Sequence, residues 1–247
     1  MANLKVRILR QDSPAAAPRW EAFSLPYRKG LNVISLLREI RKTPRTAEGQ
    51  PTTPVSWDDN CLENVCGSCT MLVNGRVQQA CTALVDQLDK PIELRPMTKF
   101  PVIRDLVVDR QRMFEDLKRV RAWIEIDGTH YIGAGPRVGE QIQQQRYVMS
   151  TCMTCGCCLE VCPQINSRSR FIGAAAINQV RLFNQHPSGA FQADQRLEAL
   201  MGKGGIQDCG NAQNCVKACP KHIPLVTSIA EVQRQTLKHS FKLLLRS

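Results

Sequence analysis

The sequence predicts an α+β chain of two domains, a small mixed sheet around one helix followed by a helical half. Alternating apolar residues and a hairpin signal crowd into the first hundred residues, and helical spacing takes over after Pro101. A third observation, twelve cysteines gathered into three groups, sets what the two domains must hold.

Taken in order, Leu4, Val6 and Ile8 share one face of a strand, and Phe23 and Leu25 open a second. Leu31 to Ile40 has helical spacing, with Val33, Ile34, Leu37 and Ile40 on one side. Thr43 to Pro54 carries three prolines among polar residues and reads as a surface loop. Met71–Val73 and Val77–Ala80 flank Asn74-Gly75, a strong hairpin signal. Ile92–Leu94 is a last short strand before Pro96. Leu106–Ile124 reads as one long amphipathic helix rich in arginine and lysine. Ile172–Phe183, Phe191–Met201 and Pro224–Leu245 also read as helices. The boundary is expected near residue 105, giving domains of 1–105 and 106–247.

At 247 residues and 43% apolar content the chain can bury real cores. A net charge of +11 calls for an acidic partner: nucleic acid, an anionic membrane surface or an acidic subunit. No apolar run approaches the ~18 residues that span a bilayer, and the N-terminus lacks a signal-peptide core. A cytoplasmic protein is therefore expected. With 5% aromatic residues for base stacking and no zinc-finger spacing, nucleic acid is not the expected partner.

In a reducing compartment, clustered cysteines bind metal rather than form disulfides. Cys61, Cys66 and Cys69 follow C-x4-C-x2-C, with Cys81 after a gap of eleven residues. This is the plant-type [2Fe–2S] arrangement, in which four thiolates converge on two irons. Gly67 and Ser68 should let the backbone approach the cluster and present N–H donors. Structural zinc is the rival, but zinc ribbons use C-x2-C pairs and only one pair here has that spacing. No histidine lies near the group, which excludes a Rieske centre.

Cys152, Cys155, Cys158 and Cys162, followed by Pro163, match C-x2-C-x2-C-x3-C-P, the bacterial ferredoxin run whose fourth cysteine serves the other cluster. Cys209, Cys215 and Cys219, followed by Pro220, fit the same template with Ala212 in place of the second ligand. A cubane short of one thiolate loses an iron and becomes [3Fe–4S]. Cross-ligation then gives Cys152, Cys155, Cys158 and Cys219 to a [4Fe–4S] cluster, and Cys162, Cys209 and Cys215 to the three-iron cluster. Cys157 has no place in either template and reads as a buried bystander. His130, His186, His222 and His239 show no ligand pairing.

The segments Asn60–Thr82, Cys152–Pro163 and Asp208–Pro220 together resemble the iron–sulfur subunits of succinate dehydrogenase and fumarate reductase, and the likeness covers nearly the whole chain. It implies an N-terminal β-grasp, plant-type ferredoxin domain and an all-α, bacterial-ferredoxin-like C-terminal domain. It also implies a complex with an FAD-bearing flavoprotein and a membrane anchor, often with haem b, at the cytoplasmic face of the cell membrane. Electrons from succinate would reach a quinone through the three clusters, or run in reverse for fumarate. Substrate chemistry would belong to the flavoprotein, so no catalytic residue is assigned to this chain. Ubiquinone-linked members carry tryptophan shortly after the proline of the second group and histidine after the first cysteine of the third. Gln164-Ile165-Asn166 and Gly210 stand in those places here. The run CMTCGCCLEVCP looks more like the menaquinone-using branch with a single di-haem cytochrome b anchor.

Overall fold

The computed structural model describes residues 3–125 and 137–245. The chain divides into two compact units, Met1–Arg110 with Met153–Glu160, and Gln111–Cys152 with Val161–Ser247.

The first unit is built on a five-stranded sheet. β1 (Asn3–Arg10) pairs antiparallel with β2 (Arg19–Pro26), and α1 (Val33–Lys42) follows. β3 (Thr70–Val73) and β4 (Arg76–Gln79) form the hairpin expected at Asn74-Gly75, where both residues take the left-handed backbone that such a turn requires. β5 (Ile92–Arg95) lies between β1, to which it is parallel, and β3, to which it is antiparallel. The order β2-β1-β5-β3-β4 with one helix across it is the β-grasp arrangement. Leu4, Val6 and Ile8 point into the core as their alternation requires, against Val33, Leu37 and Ile40 of α1.

The core face of β1 continues past Ile8 to an arginine. Arg10 is fully buried, and its Nε and Nη2 donate to both carboxylate oxygens of Asp105 at 2.8 and 3.1 Å. Asp105 also accepts the N–H groups of Gln11 and Ser56, and Arg10 pairs in addition with Glu21 at 2.8 Å. A buried ion pair is tolerable only with its remaining donors and acceptors satisfied in this way.

One expected element is corrected. The stretch Leu106–Ile124 is not a single helix: β6 (Val102–Arg104) and β7 (Val107–Val108) form a second small hairpin, and α2 spans only Gln111–Arg119. The cause is local. Asp105 turns the chain with φ 48°, and the amides of Asp105 and Leu106 donate to Gln11 and Ser56 instead of to a helical ladder. At the other end Arg121 takes φ 50°, a left-handed residue of the kind that stops helices.

In the second unit α3 (Glu140–Ser150) was missed by the sequence reading, because Met149 is its one buried residue and no apolar stripe marks it. α4 (Cys157–Glu160) belongs to the first unit. There the Glu160 carboxylate accepts the Thr98 N–H and hydroxyl at 2.9 and 2.6 Å and the Lys99 N–H at 3.0 Å. The helices expected near 172, 191 and 224 appear as α5 (Gly173–Asn184), α6 (Ala193–Met201) and α8 (Leu225–Leu244), with short α7 (Asn214–Ala218) before the last. A buried chain of polar groups ties α5 to α8: Arg181 donates to Ser228 Oγ, which donates to Asn178 Oδ1. Among the described residues no helix is long and apolar enough to cross a membrane.

Removing the Glu160 carboxylate would leave two backbone donors without their acceptor. Glu160→Ala should weaken the local structure by about 2 kcal/mol and speed amide exchange at Thr98 and Lys99 roughly 30-fold. Hydrogen-exchange mass spectrometry of the complex checks this, and unchanged protection would contradict it.

Candidate metal centres

The first cysteine group lies on the loop that leads into β3. Leu62, Asn64 and Gly67 take left-handed backbone, with φ of 62°, 55° and 73°. Such alternation turns successive N–H groups to one side and makes a concavity for negative charge. Here the charge is sulfur. The amides of Glu63, Val65 and Cys66 donate to Cys61 Sγ at 3.4, 3.3 and 3.3 Å. The Ser68 amide and hydroxyl donate to Cys66 Sγ at 3.5 and 3.3 Å, in keeping with the role expected of that residue. Burial pushes the Cys66 thiol up, but the Ser68 hydroxyl and the backbone donors outweigh it and bring the pKa down to about 6. Cys69 and Cys81 are buried side by side. Burial, and then the Cys81 side chain, push Cys69 up to about 12, so cluster binding there must release a proton. Cys81 is held from α1, whose N-cap residue Asn32 donates to its carbonyl at 2.9 Å and accepts the Ser35 amide. A loop whose donors converge on sulfur favours thiolates, and these residues fit a [2Fe–2S] cluster.

Of the second group, Cys155, Cys157 and Cys158 lie in the first unit, and all three are buried. Cys157 is the most enclosed, at 1% exposure, and its Sγ accepts Gln79 Nε2 at 3.4 Å. A hydrogen bond from Cys157, opposed by burial, brings Cys155 down to about 7. The same bond, reinforced by burial, drives Cys157 up. The sequence marked Cys157 as having no ligand role, but not that its thiol meets Cys155, one of the expected ligands.

The three residues expected around the three-iron cluster, Cys162, Cys209 and Cys215, all belong to the second unit. Burial raises the Cys215 thiol, and the nearby sulfurs of Cys162 and Cys209 raise it further. Asn214 fastens the start of α7 to the second group by donating to the Val161 carbonyl at 3.2 Å. Ala212 is exposed, between Asn211 and Gln213, which both have positive φ. None of the twelve cysteines is in a disulfide. Among the described residues no three side chains of His, Cys, Asp or Glu are drawn in around a single ion; spacing and donor chemistry carry the cluster assignment.

Gln164 and Gly210, the two departures from the ubiquinone-linked pattern, stand against each other. A Cβ on Gly210 would fall 2.5 Å from Gln164 Nε2, so the glutamine amide fills the space of a side chain at 210. The histidines take other roles. His186 Nδ1 accepts the amides of Ser188 and Gly189, and burial, then the charge of Arg146, lowers its pKa. It lines a cleft of ≈ 240 Å³ with Gln143, Tyr147 and Phe183, and no cysteine lines that cleft. His239 is buried between Asp194 and Glu198, His222 is exposed, and His130 lies outside the described residues.

A β-grasp unit with hydrogen-bond donors aimed at sulfur on its cysteine loop, together with two ferredoxin-type cysteine groups further along the chain, defines an iron–sulfur electron-transfer protein. Comparison with known proteins agrees. Residues 5–115 match the model of a 2Fe-2S iron-sulfur cluster binding domain, and residues 148–223 that of a 4Fe-4S dicluster domain. The chain is 58% identical to the succinate dehydrogenase iron-sulfur subunit of Bacillus subtilis, over 97% of this chain and 95% of that one. It is 29% identical to the fumarate reductase iron-sulfur subunit of Wolinella succinogenes, over 94% and 96%. A chain of the Mycobacterium smegmatis Sdh1 complex in its apo form has the same fold, with a TM-score of 0.75 at 19% identity over 97% of both chains. The chain belongs to the family of succinate dehydrogenase iron–sulfur subunits.

Proposed function

We propose that this chain relays electrons in a succinate:quinone oxidoreductase through three clusters held by the following residues. Cys61, Cys66, Cys69 and Cys81 hold the [2Fe–2S] cluster. Cys152, Cys155, Cys158 and Cys219 hold the [4Fe–4S] cluster, on the spacing of the two ferredoxin runs. Cys162, Cys209 and Cys215 hold the [3Fe–4S] cluster. When bound, the clusters supply one-electron steps between the FAD of the flavoprotein and a quinone. The chain's own residues fix their surroundings. Backbone and hydroxyl donors reach Cys61 Sγ and Cys66 Sγ, and burial shields Cys69, Cys81, Cys155, Cys158, Cys215 and Cys219 from water. Oxidation of succinate takes place on the flavoprotein.

The observation that carries this reading is the convergence of three backbone N–H groups on Cys61 Sγ, an arrangement a neutral thiol does not need. The complex includes a flavoprotein and a membrane anchor. The finer reading is a di-haem cytochrome b anchor, a menaquinone-type acceptor and a place at the cytoplasmic face of the cell membrane. Its support is the pairing of Gln164 with Gly210, which leaves out the indole and imidazole donors of ubiquinone-linked members. Each missing donor is worth about 1 kcal/mol to a ubiquinone headgroup. The purified complex should therefore turn over menaquinone analogues faster than ubiquinone analogues. A clear preference for ubiquinone analogues would overturn the quinone assignment while leaving the relay intact.

A further inference from the structure

Arg110 closes the stretch of chain that runs through the first unit, and its guanidinium lies beneath the first cysteine loop. Nη1 donates to the Gly67 carbonyl at 2.7 Å and Nη2 to the Ser68 carbonyl at 2.6 Å. Both carbonyls stand between Cys66 and Cys69. Its Nε is buried with no hydrogen-bond partner among the described residues. Burial lowers the Arg110 pKa, and the charges of Asp58 and of the sulfurs of Cys155, Cys157 and Cys69, which belong to two cysteine groups, work against that.

The two groups are held close at this point. A Cβ on Gly67 would fall 2.7 Å from Cys155 Cβ and 3.1 Å from the Met153 carbonyl oxygen, so only glycine fits. The Cys61–Cys69 loop thus touches Cys155 through bare backbone, and Arg110 grips that same piece of backbone. An arginine keeps its charge in any surroundings, and charge near an iron–sulfur cluster is one of the terms that set its reduction potential. Each cluster gains one unit of negative charge on reduction, so a fixed cation favours the reduced form.

We propose that Arg110 is a positioning residue shared by the first two clusters, a half-buried cation that raises the reduction potentials of the [2Fe–2S] and [4Fe–4S] clusters together. The proposal rests on Cys69 and Cys155 being ligands of those clusters. Nothing in the cysteine motifs points to it, because Arg110 lies 29 residues after Cys81 and 42 before Cys152.

The test is a potentiometric titration of the purified complex followed by electron paramagnetic resonance. Arg110→Gln should lower both midpoints, each by at least a tenfold change in the reduction equilibrium, which is 59 mV for one electron. Arg110→Lys should recover most of the shift. The three-iron midpoint, whose proposed ligands all belong to the second unit, should stay in place. A purely mechanical clamp would lose signal without moving a potential. Should Arg110→Gln fail to assemble, Asp58→Asn decides. This exposed change removes the carboxylate that offsets Arg110, and both midpoints should then rise. Full signals with unmoved midpoints in Arg110→Gln, or in Asp58→Asn where that decides, would overturn the proposal. Absence of the first two cluster signals from the wild type would instead overturn the ligand assignment beneath it.

Discussion

Replacing Ala212 by cysteine should convert the three-iron cluster into a four-iron one. Ala212 occupies the second-ligand position of C-x2-A-x2-C-x3-C-P, and its neighbours Cys209 and Cys215 are proposed ligands. The residue is exposed on a loop before α7, so the added sulfur displaces no packed core. A fourth thiolate would let a fourth iron stay bound. The added ligand and metal change the charge and electronic structure of the site, and the midpoint potential should fall. Electron delivery into the last relay then becomes harder. Succinate-to-quinone turnover should drop while reduction of an artificial acceptor at the flavin continues. Electron paramagnetic resonance of the oxidised complex reads the outcome directly, because a three-iron cluster is paramagnetic in that state and an oxidised ferredoxin-type [4Fe–4S] cluster is silent. Ala212→Cys should lose most of the oxidised signal. Its full retention would show that residue 212 does not control cluster type.

The largest stability effect is expected at Asp105. Asp105→Ala would leave Arg10 buried with Glu21 as its remaining carboxylate partner, and would deprive the amides of Gln11 and Ser56 of their acceptor. Breaking a buried pair from one side costs about 3–5 kcal/mol, a large part of the 5–15 kcal/mol that holds a typical domain together. Asp105→Asn should cost less, since asparagine tolerates the left-handed backbone at φ 48° and still offers one acceptor. Urea titration of the complex, followed by bleaching of the visible cluster absorption, should show the Ala variant failing well below the wild type, with Asn between them. Equal midpoints would mean that the pair contributes nothing net to the first unit.

What the sequence disclosed and what it hid follow from the range of the interactions involved. The hairpin at Asn74-Gly75, the α1 stripe and the three cysteine spacings are local patterns, and each was legible. The Arg10–Asp105 pair joins residues ninety-five apart, so an arginine on the buried face of β1 carried no visible partner. The same distance problem hid Arg110 beneath the Gly67 carbonyl and the Gln79 contact to Cys157. The error over Leu106–Ile124 had a different source. Apolar and basic residues there keep a helical period, but the turn at Asp105 and its tertiary hydrogen bonds override it. α3 was missed for the opposite reason: a polar helix with Met149 as its one buried residue leaves no period to read.

The central claim is that this one chain holds three clusters of different type, the last short of a ligand. Electron paramagnetic resonance of the wild-type complex, first oxidised and then fully reduced, tests it most directly. The oxidised complex should show a three-iron signal. The reduced complex should lose it and gain the signal of a [2Fe–2S] cluster, with a [4Fe–4S] cluster appearing at low potential. An oxidised complex with no three-iron signal at full iron content would contradict the reading of Ala212 and the cluster assignment built on it.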